Sequence, residues 1–489
     1  MRSLKGADGF FLYKESRTQH LHTIKVQVLE PVDDEVSSID ALKRRLEAGI
    51  ARIPPFHWQL VKMPISIVHP IWRYRSKLDI DYHVRRAAVP SPGGKREFAE
   101  VISEIASTGL ERDRPLWQLW VVEGLAGGRI AYVTKLHHAV ADGISSARIL
   151  LDGFAAAPDR EDEAALHVWG GGDEPLPSTR VLLRHELRMS RRLTAMLPSF
   201  LWRSARFLWI GFQRRLTGKA RGAQPFSTPP LRFNQPITPH RWFAYARLSV
   251  SDMKQVKQAL GGTLNDVFIA LCSGAVRRYL ESRDELPEEP LTASIPVSIR
   301  KPYEERTYGN RTSAWIVSMA TDLGDPLIRY RAIVKSTQGA REAHDAKDPE
   351  LMSDAMELWP IYRMLDAFNS LCRKLTGRPA ISTIVSNVRG PSEPIETAGS
   401  KVVELMSMGP IVDDQGLNFT GWSYLDTMTI GIVACREHVP DIWELAEGAE
   451  RELEILLEAI QATPAERPAI DRTASQPTDS APRQPFTAP

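Results

Sequence analysis

Cysteine is scarce in this sequence, and its scarcity excludes a cross-linked scaffold. The 489 residues contain only Cys272, Cys372 and Cys435, which lie far apart and form no CxxC pair. Disulfide frameworks and structural zinc sites need several closely spaced cysteines. We therefore expect packed, inert thiols in a reducing compartment, and we expect no metal site.

Long hydrophobic runs are also absent. No stretch approaches the roughly 18 uninterrupted apolar residues that indicate a membrane-spanning helix. The N-terminal stretch MRSLKGADGFFLYKES lacks the apolar core of a signal peptide. The sequence therefore predicts a cytoplasmic protein, and if it works on lipid it must do so from the membrane surface or from solution.

No single sign of charge dominates the composition. The net charge is +2, with 43% hydrophobic and 25% charged residues, which is ordinary for a globular protein. This balance gives no reason to expect a nucleic-acid partner. At roughly 100–200 residues per domain, the length allows two or three domains.

Composition and hydrophobic periodicity divide the chain into four parts. Residues 1–175 and 241–461 each show the mixed strand and helix patterns of an α/β domain. Residues 176–240 form a basic amphipathic segment followed by a linker. Residues 462–489 are rich in Pro, Ser and Thr and are predicted to be a disordered tail.

Within the two α/β domains, period-two and period-3.6 patterns place the individual elements. Strands are predicted at 23–29, 129–136, 381–386, 418–424 and 428–435. Helices are predicted at 39–51, 96–107, 143–154 and 263–280, the last of them capped by Thr263.

The basic segment carries eleven Lys or Arg residues and a single acid, Glu186, between positions 180 and 221. Four of its arginines recur at every fourth residue and so follow one face of a helix: Arg180, Arg184, Arg188 and Arg192. Pro198 is expected to interrupt this helix, and an aromatic-rich stretch, FLWRSARFLWIGF, follows.

Two interpretations of this segment are open. In the first, the arginines bind an anionic membrane or lipid droplet while nearby apolar side chains enter the interface. Those side chains are Trp202, Phe207, Leu208, Trp209 and Phe212. In the second, a pair of amphipathic helices packs on the protein and exposes a charged face to water. We carry the membrane interpretation forward, with the protein peripheral to the inner face of the membrane or to lipid droplets.

The run KLHHAVADGISS carries the clearest chemical signal. His137 and His138 end a predicted strand, and Asp142 and Gly143 precede a helix. Neighbouring strand residues point to opposite faces, so only one of the two histidines can face a given cleft. A histidine, with a reference pKa near 6.5, can accept a hydroxyl proton at about neutral pH. General base catalysis contributes roughly 10²–10⁴-fold in rate.

The neighbours of the histidines have supporting roles in this interpretation. Asp142 can pair with an arginine and hold the turn, or it can orient a histidine, and Gly143 lets the backbone turn closely into the helix. The alternative is a purely structural His-His-Asp cluster. The chain has no GxSxG elbow, P-loop or GxGxxG fingerprint that would indicate a different chemistry. His20, His22, His57 and His83 are expected to be structural or surface residues.

Several motifs occur in an order that resembles the bacterial wax ester synthase/diacylglycerol acyltransferase family. Its hallmark HHxxxDG corresponds to residues 137–143, and its PLW motif to residues 115–117. Its Asn-Asp pair corresponds to Asn265 and Asp266 in GGTLNDVFIAL. The blocks IPVSIRKP, GNRTS, SNVRGP, GLNFTGWSY and VPDIWEL resemble the later parts of the family. The resemblance covers most of residues 5–460, outside the basic segment.

The resemblance implies two α/β domains like chloramphenicol acetyltransferase, with a tunnel between them. It implies that His138 is the general base, with His137 beside it, and that Asp142 is structural and pairs with Arg300 of the other domain. It also implies that Asn265 and Asp266 shape the site, although an ordinary helix N-terminus is an equal alternative for them.

The implied reaction transfers a long-chain acyl group from acyl-CoA to a hydroxyl, with no cofactor and no covalent intermediate. Diacylglycerol and a long-chain alcohol both remain open as acceptors. Arg389, Asp413 and Asp414 depart from the family pattern and bear on substrate identity. Two rival hypotheses are a related acyltransferase that uses acyl chains bound to a carrier protein, and a catalytically inactive lipid-binding protein.

Overall fold

The computed structural model describes residues 2–31, 50, 53–154, 174–216, 223, 225–300, 308–345 and 351–462. The helix predicted at 39–51, apart from Ile50, and the predicted tail from residue 463 onwards lie outside the described residues.

The first part of the chain alternates short strands with helices. Its strands are β1 (Arg2–Ser3), β2 (His22–Leu29), β3 (Trp58–Val61), β4 (Ile71–Tyr74), β5 (Val84–Ala88), β6 (Trp117–Leu125) and β7 (Arg129–His137). Its helices are α1 (Gly6–Lys14), α2 (Ile80–His83), α3 (Lys95–Ala106) and α4 (Gly143–Phe154). A long helix, α5 (Thr179–Leu216), follows.

The second part of the chain repeats this mixture. Its strands are β8 (Arg241–Ser249), β9 (Thr292–Ser298), β10 (Thr312–Ser318), β11 (Thr383–Val388), β12 (Glu396–Thr397), β13 (Ser400–Met408), β14 (Leu417–Tyr424) and β15 (Thr427–Cys435). Its helices are α6 (Val250–Leu260), α7 (Leu264–Glu281), α8 (Pro326–Asp345), α9 (Leu351–Glu357), α10 (Trp359–Thr376) and α11 (Ile442–Ala462).

Within the part of the chain that the structure describes, the strands form two six-stranded sheets and one three-stranded sheet. The first large sheet has the order β12-β13-β2-β7-β6-β5, and the second has the order β10-β9-β11-β14-β15-β8. The small sheet has the order β1-β4-β3. Every predicted strand and every predicted helix within the described residues is present, with bounds shifted by at most two residues.

Strand β13 crosses from the second part of the chain into the first sheet. It pairs antiparallel with β2, and Leu405 lies opposite Gln27. β2 is buried along its whole length, so the backbone groups on both of its edges must be paired. β7 pairs with one edge and β13 with the other. Position along the chain therefore does not decide which sheet a strand joins.

Apolar side chains collect on both faces of the first sheet. On one face, Ile24 of β2 packs with Phe98 of α3 in one buried cluster. On the other face, Leu136 and Val140 lie in a cluster that also contains Trp422 of β14. The second sheet is thereby packed against the segment that follows β7.

Helix α5 runs through Pro198 without a break, so the predicted interruption is wrong. Proline in a helix interior costs about 3 kcal/mol, because it removes a hydrogen bond and crowds the preceding turn. Leu182 and Leu193 before the proline and Phe200 after it are all buried in one apolar cluster. Burial on both sides of Pro198 offsets that cost and keeps the helix continuous.

No single helix among the described residues is long and apolar enough to cross a bilayer. Helices α6 and α7 reach the required length and hydropathy only as a pair, which is bent by 103°. Most of α7 is buried in the protein core.

Candidate active site

The HHxxxDG segment lies between the end of β7 and the start of α4. β7 ends at His137, whose ring is buried with its Nε2 3.3 Å from Glu15 Oε1. The backbone N–H of Ala139 donates to Nδ1 of the same ring over 3.0 Å. His138 is half-buried and stacks on Phe11, with ring centroids 4.0 Å apart and an angle of 17° between the rings. The two rings therefore have different environments, although His138 lies one residue beyond the end of β7.

Asn310 determines which nitrogen of His138 carries the proton. Its Nδ2 donates to Asp8 Oδ1 over 2.8 Å and to the His138 carbonyl oxygen over 2.7 Å. These two acceptors orient the amide, so Oδ1 faces His138 Nδ1 at 3.0 Å. Only a protonated Nδ1 can donate to that oxygen. The Nε2 of His138 is therefore the unprotonated nitrogen, which is the one able to accept a proton.

Asp8 holds Asn310 from the other part of the chain. Its Oδ1 also accepts from the Asn310 backbone N–H over 2.7 Å. Gly309 has a φ of +94°, and a Cβ there would lie 3.1 Å from Asp8 Oδ2. Glycine is needed at this position because it adopts positive φ without strain and leaves room for the carboxyl group.

Burial sets the ionisation of the groups around the two histidines. It lowers the pKa of His138 to about 4 against the opposing effects of Asp142 and Asn310, so this ring is neutral at pH 7. Burial raises the pKa of Asp8, although the hydrogen bonds from Asn310 act in the other direction. Burial alone would raise the pKa of Glu15, but His137 and Arg112 outweigh it and leave that pKa lowered.

The ion pair predicted between Asp142 and Arg300 is present. Arg300 Nη2 lies 2.7 Å from Asp142 Oδ2, and the side chains are 4% and 1% exposed, respectively. The same Nη2 donates to Ser145 Oγ over 2.6 Å and to the Gly309 carbonyl over 2.5 Å. Asp142 also accepts from the backbone N–H groups of Ser145 and Arg311. Asp142 thus fastens the turn before α4 to the segment between β9 and β10.

The remaining predicted residues lie at two helix N-termini. Gly143 begins α4, where a Cβ would lie 3.1 Å from the Val388 side chain. Asp266 forms a capping box with Thr263 at the start of α7, and Thr337 Oγ1 donates to its other oxygen over 2.6 Å. These contacts favour the helix-terminus alternative for Asp266. Asn265 is half-exposed in the same first turn.

Four residues of the site were missed by the sequence analysis: Asp8, Phe11, Glu15 and Asn310. The first three lie on and just after α1, at spacings of three and four residues. Such spacing places side chains on one helix face, and this signal could have pointed to α1. Asn310 lies within the GNRTS block, which contributes to the family resemblance but by itself assigns no role to the asparagine.

The other singled-out residues have structural contacts. His20, His22, His57 and His83 are all buried.

Asp413 accepts from the Ile237 backbone N–H over 2.9 Å, and Asp414 pairs with Arg373. Arg389 is exposed. Cys272 and Cys435 are buried and Cys372 is half-buried, all as free thiols.

Comparison with family models gives two matches. The wax ester synthase/diacylglycerol acyltransferase catalytic domain matches residues 4–268, and the WS/DGAT C-terminal domain matches residues 308–457. Two putative diacylglycerol O-acyltransferases of Mycobacterium tuberculosis H37Rv are similar to this chain. One is 36% identical over 454 residues, covering 92% of this chain and 94% of the relative. The other is 35% identical over 477 residues, covering 95% of this chain and 99% of the relative.

Solved structures with the same fold include a wax ester synthase/diacylglycerol acyltransferase from Marinobacter aquaeolei VT8. It has a TM-score of 0.68 and 25% identity, with 94% of this chain and 100% of that chain covered. The first condensation domain of the calcium-dependent antibiotic synthetase has a TM-score of 0.60 at 16% identity, with 94% of this chain and 97% of that domain covered. The predicted two-domain α/β fold is confirmed by these likenesses.

Proposed function

This chain belongs to the wax ester synthase/diacylglycerol acyltransferase family and is an O-acyltransferase, and on that premise we propose that it uses long-chain acyl-CoA and His138 as general base. The hydrogen bond from His138 Nδ1 to Asn310 carries this proposal, because it leaves Nε2 free to accept a proton.

The proposed reaction needs no covalent enzyme intermediate. His138 Nε2 takes the proton of the acceptor hydroxyl while the hydroxyl oxygen attacks the thioester carbonyl carbon. The carbon–sulfur bond then breaks, and the thiolate of CoA leaves with the proton returned by the imidazolium. Because the ring is neutral at pH 7, no prior deprotonation is required.

The acceptor in this proposal is diacylglycerol or a long-chain alcohol, with no cofactor beyond acyl-CoA itself. The names of the Mycobacterium relatives favour diacylglycerol. We place the donor and the acceptor at opposite ends of a tunnel between the two domains. Support comes from the meeting of both parts of the chain at His138, where Phe11 and Asn310 contact the ring.

Release of CoA from palmitoyl-CoA tests the proposal, with diacylglycerol, hexadecanol or no acceptor present. His138→Ala should lose roughly 10²–10⁴-fold in kcat while the protein stays folded. His137→Ala should lose less activity, because His137 faces Glu15 instead. Interchanged effects of the two variants would show that the wrong histidine has been assigned. Turnover with an acyl carrier protein donor but not with acyl-CoA would favour the carrier-dependent acyltransferase. An absence of turnover with every donor would favour the catalytically inactive lipid-binding protein.

We further propose that α5 holds the enzyme on anionic membranes or lipid droplets. Trp202, Trp209 and Phe212 are 64%, 59% and 54% exposed. Leu187, Trp202 and Trp209 are separated by about whole helical turns and lie opposite the buried Leu193 and Phe200. Exposed arginines accompany them, and each is worth about 1 kcal/mol at an anionic surface.

Flotation with vesicles tests this second proposal. Four exposed arginines are replaced by glutamine: Arg184, Arg188, Arg191 and Arg192. The variant should bind anionic vesicles more weakly than the wild type, and wild-type binding should fall with salt without vanishing. Neutral vesicles should bind poorly at any salt concentration. Equal flotation of both proteins would mean that α5 is only a packed, charged helix.

A further inference from the structure

Helix α1 supports both histidines of the site. Asp8 holds Asn310, which in turn holds His138, and Phe11 stacks on the His138 ring. Glu15, the residue after α1, lies 3.3 Å from His137. A small shift of α1 would therefore change the orientation of the proposed base without any change in the HHxxxDG segment.

Both ends of α1 are linked to Glu357 of α9, the first end directly and the second end through His69. At its first turn, the Gly6 backbone N–H donates to the Glu357 carboxylate. A Cβ on Gly6 would lie 2.2 Å from the Met356 carbonyl carbon, so the two backbones approach as closely as a glycine permits. At its last turn, Tyr13 contacts His69 Nδ1 over 2.8 Å, and His69 Nε2 contacts the Glu357 carbonyl oxygen over 3.0 Å.

Helix α9 is in turn fastened to α5. Arg203 of α5 forms an ion pair of 2.5 Å with Asp354 of α9. Ala355 and the following Leu358 belong to the buried cluster that holds Leu193 and Phe200 of α5. The three helices therefore form a continuous stack, which we name the α5–α9–α1 stack. Its outer face carries exposed tryptophans and arginines, and its inner end contacts His138.

We propose that an anionic lipid surface bound at α5 acts on His138 through the α5–α9–α1 stack and raises the turnover of the site. This inference rests on the proposed function, because it assigns regulation to the same base. A lipid surface can shift the stack only if it binds one arrangement of α5 more tightly than another. Coupling between sites in proteins typically changes an equilibrium by about 5–150-fold.

The experiment separates activation from delivery of substrate. CoA release is measured with hexanoyl-CoA and a short soluble alcohol, so that no reactant needs to enter a membrane. Phosphatidylglycerol vesicles that contain no acceptor are then added. The wild type should gain about 5–150-fold in kcat, and phosphatidylcholine vesicles should have little effect.

Asp354→Asn is the informative variant, because it breaks the ion pair within the stack but leaves the lipid-facing side chains of α5 unchanged. It should float with vesicles as well as the wild type and keep the basal rate, yet lose most of the stimulation. The double variant Arg203→Asp with Asp354→Arg, which swaps the two charges, should restore the stimulation by vesicles. Glu285→Gln is the matched control, since it removes a similarly exposed pair with Arg232 at 2.6 Å outside the stack.

Each outcome is decisive. Vesicle binding without stimulation of the wild type, or full stimulation of Asp354→Asn, overturns the inference while CoA release still supports the proposed function. Loss of stimulation in Glu285→Gln as well would mean that the effect is not specific to the stack, which also overturns it. An absence of CoA release both from hexanoyl-CoA and from palmitoyl-CoA would instead reject the proposed function.

Discussion

Replacing Asn310 with alanine tests the part of the mechanism that the structure contributes most directly. Asn310→Ala removes the oxygen that accepts from His138 Nδ1 and the amide that donates to Asp8 and to the His138 carbonyl. Neither the His138 ring nor the Asp142 ion pair is altered. The variant therefore changes the proton position and the orientation of the base, and little else at the site.

The size of the effect follows from the buried hydrogen bond. Leaving a buried N–H without a partner costs about 1–3 kcal/mol, and this cost favours the tautomer with the proton on Nε2. That tautomer cannot act as the base. At about 1.4 kcal/mol for each factor of ten, kcat should fall by roughly 5–150-fold. The loss should lie between the wild type and His138→Ala.

Stability must be measured alongside activity. Asp8 loses one of its two donors from Asn310, so we expect a loss of about 1–3 kcal/mol in the free energy of unfolding. Asn234→Ala is the matched control, because Asn234 is a buried asparagine that donates to the Ser382 and Asp414 carbonyls outside the site. It should lose comparable stability while kcat stays unchanged.

Two variants of Asp8 distinguish the effect of its hydrogen bonds to Asn310 from the effect of its carboxylate charge. Asp8→Asn can still present an oxygen to both donors of Asn310 and should keep most of the activity. Asp8→Ala cannot, and it should resemble Asn310→Ala. A wild-type kcat in Asn310→Ala at 25 °C, with CoA release followed under saturating substrate, would refute the assigned tautomer.

Three further predictions concern charge. Asp142→Ala and Arg300→Met should each cost about 3–5 kcal/mol in urea unfolding, and the double variant should cost less than their sum; additive costs would contradict the pair. Burial lowers the pKa of Lys25 from 10.5 to about 7, so the unfolded chain binds more protons between those values and stability should rise with pH across that window. Lys25→Met should make the free energy of unfolding depend less steeply on pH in this window. Some dependence should remain, because burial also lowers the pKa of Lys135 to about 7. An unchanged slope would argue against a neutral Lys25. Because the pKa of His138 is lowered to about 4, kcat should stay flat from pH 8 to about 5 and fall only as the ring is protonated; an acid limb near pH 6.5 would contradict the burial argument.

The sequence by itself determined the local elements and the main chemical motif. The strand at 23–29 and the helix at 263–280 follow from periodicity and from the Thr263 cap, which act within a few residues. The order of the motifs identified the family, and through it the pairing of Asp142 with Arg300.

Only the tertiary structure decided how distant segments complete these elements. β13 joins the first sheet because β2 is buried and needs a second partner, and α5 continues through Pro198 because it is packed on both sides of the proline. Asp8 and Asn310 are 302 positions apart in the chain, yet their contact sets the proton on His138. Periodicity and propensity describe neighbours along the chain. A contact over such a separation exists only after the sheets have packed together, so no local pattern could have revealed which nitrogen of His138 is free.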